Sequence, residues 1–152
     1  MNEPAHIDFE QFNNSLPEAV TALRALGTLS ARGLDKGLVE LLKVRASQLN
    51  GCAYCLQLHS NWARQAGVSQ AKLDRLPAWR EAPGFNVQER AALSWTEALT
   101  DPQRRGETEI ARSALNAAFD QPQTLQLTVA IATINAWNRI AGPLGFTPPN
   151  SI

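Results

Sequence analysis

The chain has 152 residues, 44% of them hydrophobic and 18% charged, an ordinary globular composition that is enough for one domain with its own core. Fourteen Lys and Arg residues balance fourteen Asp and Glu residues, so composition offers no electrostatic grip on nucleic acid or on an anionic membrane. The opening MNEPAHIDFEQF has no basic run and no apolar stretch, which argues against a signal peptide. Two cysteines at C-x-x-C spacing fit a reducing cytoplasm better than a secreted disulfide scaffold.

Residues 1–14 read as an N-terminal arm, with His6 as a surface or interface residue. Ser15-Leu16-Pro17-Glu18 has the form of a capping box with Pro in the first turn. It predicts a helix to about Ala31 with Val20, Leu23 and Leu26 on one face, ended by Gly33. Asp35 is placed to cap a second helix carrying the apolar stripe Leu38, Leu41, Leu42 and Leu49. Glu40 falls beside that stripe rather than opposite it, so its carboxylate is expected to be partly buried; the competing reading is an ordinary exposed helical Glu.

The next stretch, Asn50 to His59 (NGCAYCLQLH), holds both cysteines and one of the two histidines. Asn50 is a good N-cap type and Gly51 permits a sharp turn, so a helix is predicted from Asn50 to about Ala66, with Gly67 as its C-cap. Cys52, Cys55 and His59 then follow at i, i+3 and i+7 and share one face. A thiol in the first turn meets free N–H donors and the positive end of the helix dipole, so its pKa should fall below the ~8.5 of free cysteine. His59, one turn beyond Cys55, is placed to take that thiol's proton. This is the pattern of a reactive dithiol with a neighbouring base. Three other readings compete. The cysteines could be small buried hydrophobes. They could hold zinc with His59, although no second C-x-x-C or H-x-x-x-H completes a structural site, so no metal is expected. A purely structural disulfide would close too short a loop to constrain the chain much.

Ser69 opens a short helix to about Leu76, and Pro77 to Pro83 form a loop containing Trp79. Asn86 with Glu89 opens a helix through Thr100, with Ala92, Leu93, Trp95, Ala98 and Leu99 on its apolar face. Asp101-Pro102 ends it, a polar loop follows, and another helix runs from about Thr108 to Phe119. Asp120-Gln121-Pro122-Gln123 caps a last helix to about Ala141, apolar on most of its surface but interrupted by Gln126, Asn135, Asn138 and Arg139, so it is not a membrane span. The tail from Gly142 is expected to be irregular. No period-two stretch bounded by turn signals appears, and the prediction is an all-α fold of about six to seven helices in a single domain, 1–152, with 1–14 as the arm and 142–152 as the tail.

Glu40, an eleven-residue interval, then Cys52, Cys55 and His59 reproduce the E…C-x-x-C-x-x-x-H signature of the AhpD-like alkylhydroperoxidases, within the carboxymuconolactone decarboxylase superfamily. RASQLNGCAYCLQLH (Arg45 to His59) resembles the core motif of the alkylhydroperoxidase core-domain branch, and AIATINAWNR (Ala130 to Arg139) resembles its closing helix. The likeness extends over roughly residues 15–145. It implies a single AhpD-like helical domain and a dithiol-dependent alkyl hydroperoxide reductase of antioxidant defence. In that scheme Cys55 attacks the peroxide, Cys52 resolves the sulfenic acid, and Glu40 with His59 forms a proton relay. Position in the helix alone would favour Cys52 as the activated thiol; the i+4 proximity of His59 and the resemblance favour Cys55. The resemblance also implies assembly as a homo-oligomer, a trimer or hexamer. It implies no bound cofactor, with an external dithiol, of lipoyl or thioredoxin-like type, as reductant.

The residue before the second cysteine is often His in the founding members and is Tyr54 here, a hydrogen-bond donor at best near neutrality. Tyr54 and Trp62 are candidates for a substrate pocket; Trp79 is another, although buried Trp is the more common role. Two further activities stay open: a thiol–disulfide oxidoreductase or redox sensor with little peroxidase turnover, and a carboxymuconolactone decarboxylase-type lyase. Decarboxylation has no use for a C-x-x-C pair.

Overall fold

The computed structural model describes residues 6–152, and among these every regular element is helical. Eight α-helices follow in order: α1 Phe9–Ser15, α2 Pro17–Ala31, α3 Lys36–Asn50, α4 Ala53–Gln65, α5 Gln70–Arg75, α6 Val87–Thr100, α7 Thr108–Ala118 and α8 Gln121–Leu144. Short 3-10 turns at Leu76–Ala78 and Pro102–Glu107 link α5 to α6 and α6 to α7. No helix among the described residues is long and apolar enough to cross a membrane.

Most of these boundaries follow from capping chemistry. Asp35, Ser69 and Asp120 each accept a backbone N–H of the first turn, and Asn86 and Asp120 form complete capping boxes with Glu89 and Gln123. Helix α1 is the one not expected. Asp8 caps α1 with Gln11 in a capping box, so the part of the arm within the described residues is helical; residues 1–5 lie outside them. Ser15 closes α1 instead of capping α2, which starts at Pro17 from Leu16 with no side-chain cap. The last helix runs three residues past Ala141, through Pro143, to Gly145 in the left-handed conformation. The tail then runs back over the protein. Asn61 donates to the Asn150 carbonyl at 2.8 Å and Arg64 to that of Ile152 at 2.8 Å, which fastens the tail to the far end of α4. His6 is exposed.

Helix α3 is the hub: α4, α6 and α8 all pack against it, and α2 covers α8. One apolar cluster (Leu38, Leu42, Trp95, Leu115, Leu127, Ile131) joins α3, α6, α7 and α8. A second (Leu41, Val44, Leu73, Leu76, Trp79, Leu93) fills the space under α5 and the 3-10 turn after it. The third holds the cysteines with Ala46, Ile134, Ala141 and Phe146, flanked by Phe9, Phe12, Tyr54 and Trp137.

A single buried carboxylate ties several of these layers together. Glu97 of α6 is 1% exposed. It accepts from Trp79 Nε1 at 2.8 Å and Arg45 Nε at 2.9 Å, and it pairs with Arg80 and, at 3.6 Å, with Arg104. Trp79 is thus a core residue and lines no pocket with the cysteines. Burial alone would raise the Glu97 pKa, but the donated hydrogen bonds of Trp79, Arg80 and Arg45 together hold it below the ordinary glutamate value. Its contribution is therefore fully present above the unfolded glutamate pKa of about 4.3 and is lost as pH falls through the lower native value. Glu97→Gln leaves the half-buried Arg45 without a counter-charge. It should cost about 3 kcal/mol in urea unfolding at neutral pH; a loss under about 1 kcal/mol would mean that water serves these guanidinium groups as well as the carboxylate does.

Candidate active site

The site is built on the turn between α3 and α4. Gly51 takes φ +66, a conformation that disfavours any side chain, and it lets the Cys52 N–H reach the Ser47 carbonyl at 3.1 Å while its own N–H reaches Gln48 at 3.3 Å. This Schellman pattern makes Asn50 the last residue of α3 rather than the N-cap of α4. The cap of α4 is Cys52 itself: its backbone is extended and its Sγ accepts the Cys55 N–H at 3.3 Å. Cys52 therefore sits at the helix mouth, with Cys55 one turn inside and His59 a turn beyond that. All three are buried and both cysteines are free thiols.

Because the turn is so short, α4 folds back along α3, and Glu40 meets His59. Glu40 Oε2 lies 2.7 Å from His59 Nδ1, and Glu40 Oε1 lies 3.6 Å from Lys43 Nζ. Burial keeps the imidazole pKa below its ordinary value, and the Glu40 carboxylate only partly offsets this. His59 is thus neutral near pH 7. Its Nδ1–H donates to Glu40, which leaves Nε2 with a free lone pair. Trp62 meets the imidazole in a T-shaped contact, with centroids 5.2 Å apart.

The two sulfurs share one hydrogen-bonded system. The Cys55 S–H directed at Cys52 lowers the Cys52 thiol to about 7 against the opposing effect of burial, helped by the Cys55 N–H. Cys55 is shifted the other way, because its proton is the one engaged with Cys52 and because it is buried. The first proton therefore leaves this pair more readily than it leaves a free thiol, and the charge gathers on the sulfur at the helix mouth.

Sequence reasoning missed a third contributor, Asn138 of α8. It is 3% exposed, and its side-chain amide favours the ionised forms of both thiols. It is held by two contacts to the end of α3: it donates to Ser47 Oγ at 3.1 Å and accepts from Asn50 Nδ2 at 2.9 Å. Asn50 also donates to Asn135 at 2.8 Å. The signal in the sequence was the pair of asparagines interrupting an otherwise apolar helix.

A cavity of about 410 Å³ opens over the site. Cys55 and His59 line it, as do Tyr54 and Trp62, two of the three residues proposed for a pocket; Cys52 is not part of the lining. The opposite wall comes from α1, α2 and α8, chiefly Phe9, Leu23, Arg24, Ile134 and Trp137. Tyr54 is held in place by stacking on Phe9 and by an edge contact to Phe146. Among the described residues no group of three or more His, Cys, Asp or Glu side chains is arranged to hold a metal ion.

Comparison with known proteins identifies the family. The profile of the carboxymuconolactone decarboxylase family matches residues 15–98, which include Glu40, both cysteines and His59. The uncharacterised protein YdfG of Bacillus subtilis is 36% identical over 107 residues, 70% of this chain and 72% of that protein. The alkyl hydroperoxide reductase AhpD of Nocardia farcinica is 47% identical over 38 residues, 25% of this chain and 21% of its own. Among solved structures, a protein of unknown function from Agrobacterium tumefaciens, described as a candidate antioxidant defence protein AhpD, superposes with a TM-score of 0.85 at 36% identity, covering 92% of this chain and 97% of its own. The debrominase Bmp8 has the same fold, with a TM-score of 0.78 at 19% identity over 90% of this chain and 74% of that one. The chain belongs to the carboxymuconolactone decarboxylase family, as an AhpD-like member.

Proposed function

We propose that the protein is a dithiol-dependent hydroperoxide reductase in which Cys55 attacks and Cys52 resolves. The observation that carries this reading is the cavity, lined by Cys55 and His59 but not by Cys52, with Glu40 hydrogen-bonded to the far side of the imidazole. Low thiol pKa and access to substrate fall on different sulfurs. The attacking sulfur must meet the peroxide, so access decides the role; the shared proton lets charge that gathers on Cys52 reappear on Cys55.

His59 Nε2 takes the Cys55 proton while Nδ1 keeps its bond to Glu40, which holds the imidazolium formed. Cys55 Sγ attacks the terminal oxygen of the hydroperoxide; the S–O bond forms, the O–O bond breaks, and the departing alkoxide takes the proton back from His59 as an alcohol. Cys52 then attacks the sulfenic sulfur. The S–S bond forms, and hydroxide leaves as water with the Cys52 proton. An external dithiol, of lipoyl or thioredoxin-like type, reduces the disulfide by exchange and is itself oxidised. The protein supplies no bound cofactor in this scheme. Tyr54, with its hydroxyl held protonated by burial, packs beside the sulfurs and takes no part in proton transfer.

A second reading is a thiol–disulfide oxidoreductase with little peroxide turnover. It is favoured by Cys52, where a thiol of pKa about 7 suits exchange with another disulfide. Turnover of tert-butyl hydroperoxide with dithiothreitol separates the two. Cys55→Ser should abolish turnover, and Cys52→Ser should stop after one equivalent with a sulfenic acid on Cys55 that dimedone traps; label on the other cysteine in the converse variant would exchange the roles. In the reduced wild type, alkylation by iodoacetamide should rise with an apparent pKa of about 7. Glu40→Gln keeps an amide oxygen that can accept from His59 Nδ1 but removes the negative charge that holds the imidazolium. It should slow peroxide consumption by at least about tenfold, within the range of general acid–base contributions, without a matching loss of stability; an unchanged rate would take Glu40 out of the relay.

A further inference from the structure

Arg24 of α2 lines the same cavity as Cys55. Its guanidinium lies over the Phe9 ring, 5.4 Å from the centroid, and Phe9 stacks in turn on Tyr54, the neighbour of Cys55. It takes no ion pair from any described residue. The second cation of the lining, Lys43, is already matched by Glu40 at 3.6 Å. No Asp or Glu lines the cavity among the described residues, and the remaining wall is largely apolar, with Leu23, Leu58, Ile134 and Trp137. Among the described residues the cavity thus combines one cation without an ion pair, a largely apolar wall and a reactive sulfur. At about 410 Å³ it lies within the roughly 300–1,000 Å³ span of small-molecule sites.

We propose that this cavity binds an apolar molecule bearing one carboxylate, with the carboxylate on Arg24 and the apolar body between α2, α4 and α8. On the peroxidase reading, from which this proposal takes only the placement of the O–O group at Cys55, the substrates are hydroperoxides of apolar carboxylic acids such as unsaturated fatty acids. A guanidinium fork matches a carboxylate in two parallel hydrogen bonds. A phosphate dianion would want a second uncommitted cation, which the lining does not offer once Lys43 serves Glu40. A neutral alkyl chain alone would make no use of the Arg24 charge.

The probes are linoleic acid and its methyl ester, together with the 13-hydroperoxides of each, below their aggregation limits. Trp62 and Trp137 line the cavity, so their fluorescence reads binding without any turnover. The acid should bind the wild-type protein about tenfold more tightly than the ester, the scale of one charge-assisted contact at a partly exposed site. Arg24→Gln should remove most of that preference, Arg24→Lys should keep part of it, and raising ionic strength should shrink it. Equal binding of acid and ester, or a preference that survives Arg24→Gln, would overturn the proposal even if both hydroperoxides are reduced. Selective, Arg24-dependent binding of the acid without reduction of either hydroperoxide would uphold this site and sink the peroxidase reading instead.

Discussion

Helix α3 passes into α4 through Gly51 and Cys52, and the positive φ of Gly51 makes that reversal tight enough to lay the two helices side by side. The consequence reaches nineteen residues in sequence, from Glu40 to His59, and closes at 2.7 Å. A longer loop would let α4 rotate or slide along α3, and neither the carboxylate–imidazole contact nor the depth of Cys55 would be fixed. The turn also decides where the thiols sit. The Cys52 N–H completes the end of α3 by bonding Ser47, while its sulfur completes the start of α4 by accepting the Cys55 N–H. One residue therefore finishes one helix and begins the next.

Helix α8 supports this turn from behind. Its length exceeds that of every other helix and its surface is mostly apolar, yet it carries Asn135 and Asn138 at the level of the cysteines. Burying amides in such a helix would be costly if they went unpaired. Here they are spent on Asn50, Ser47 and Thr100, which join the closing helix to the end of α3 and to α6. Glu97 does comparable work on the other side, joining α6, α3 and the turn after α5. The two polar clusters flank α3, and between them they limit how it can shift.

Local chemistry explains which parts of this were legible in the sequence. Asp35, Ser69, Asn86 and Asp120 act within three residues of themselves, and each marks a helix start where expected. The spacing of Glu40, Cys52, Cys55 and His59 was legible for the same reason: a short turn between two regular helices turns sequence interval into position. What escaped was set by partners far along the chain. Asn50 looks like a helix cap in isolation, but its side chain is taken by Asn135 and Asn138, 85 and 88 residues away. Glu97 reads as one more helical Glu until Arg45, 52 residues distant, arrives beside it. Helix α1 was overlooked because its apolar side, Phe9 and Phe12, gains meaning only against Tyr54, Trp137 and Phe146. The far wall of the cavity, with Arg24, had no local signal at all.

The capping role of Cys52 has a thermodynamic side. A sulfur that accepts a backbone N–H at a helix mouth is a better acceptor as a thiolate than when tied into an S–S bond. Joining the two sulfurs would therefore weaken the start of α4, and separating them would restore it. The helix terminus acts as a spring that favours the reduced pair. By the linkage between stability and potential, each 1.4 kcal/mol of such preference moves a two-electron couple by about 30 mV toward the oxidising side. On the dithiol reading, the electron affinity of the pair would be set in part by how well one helix begins.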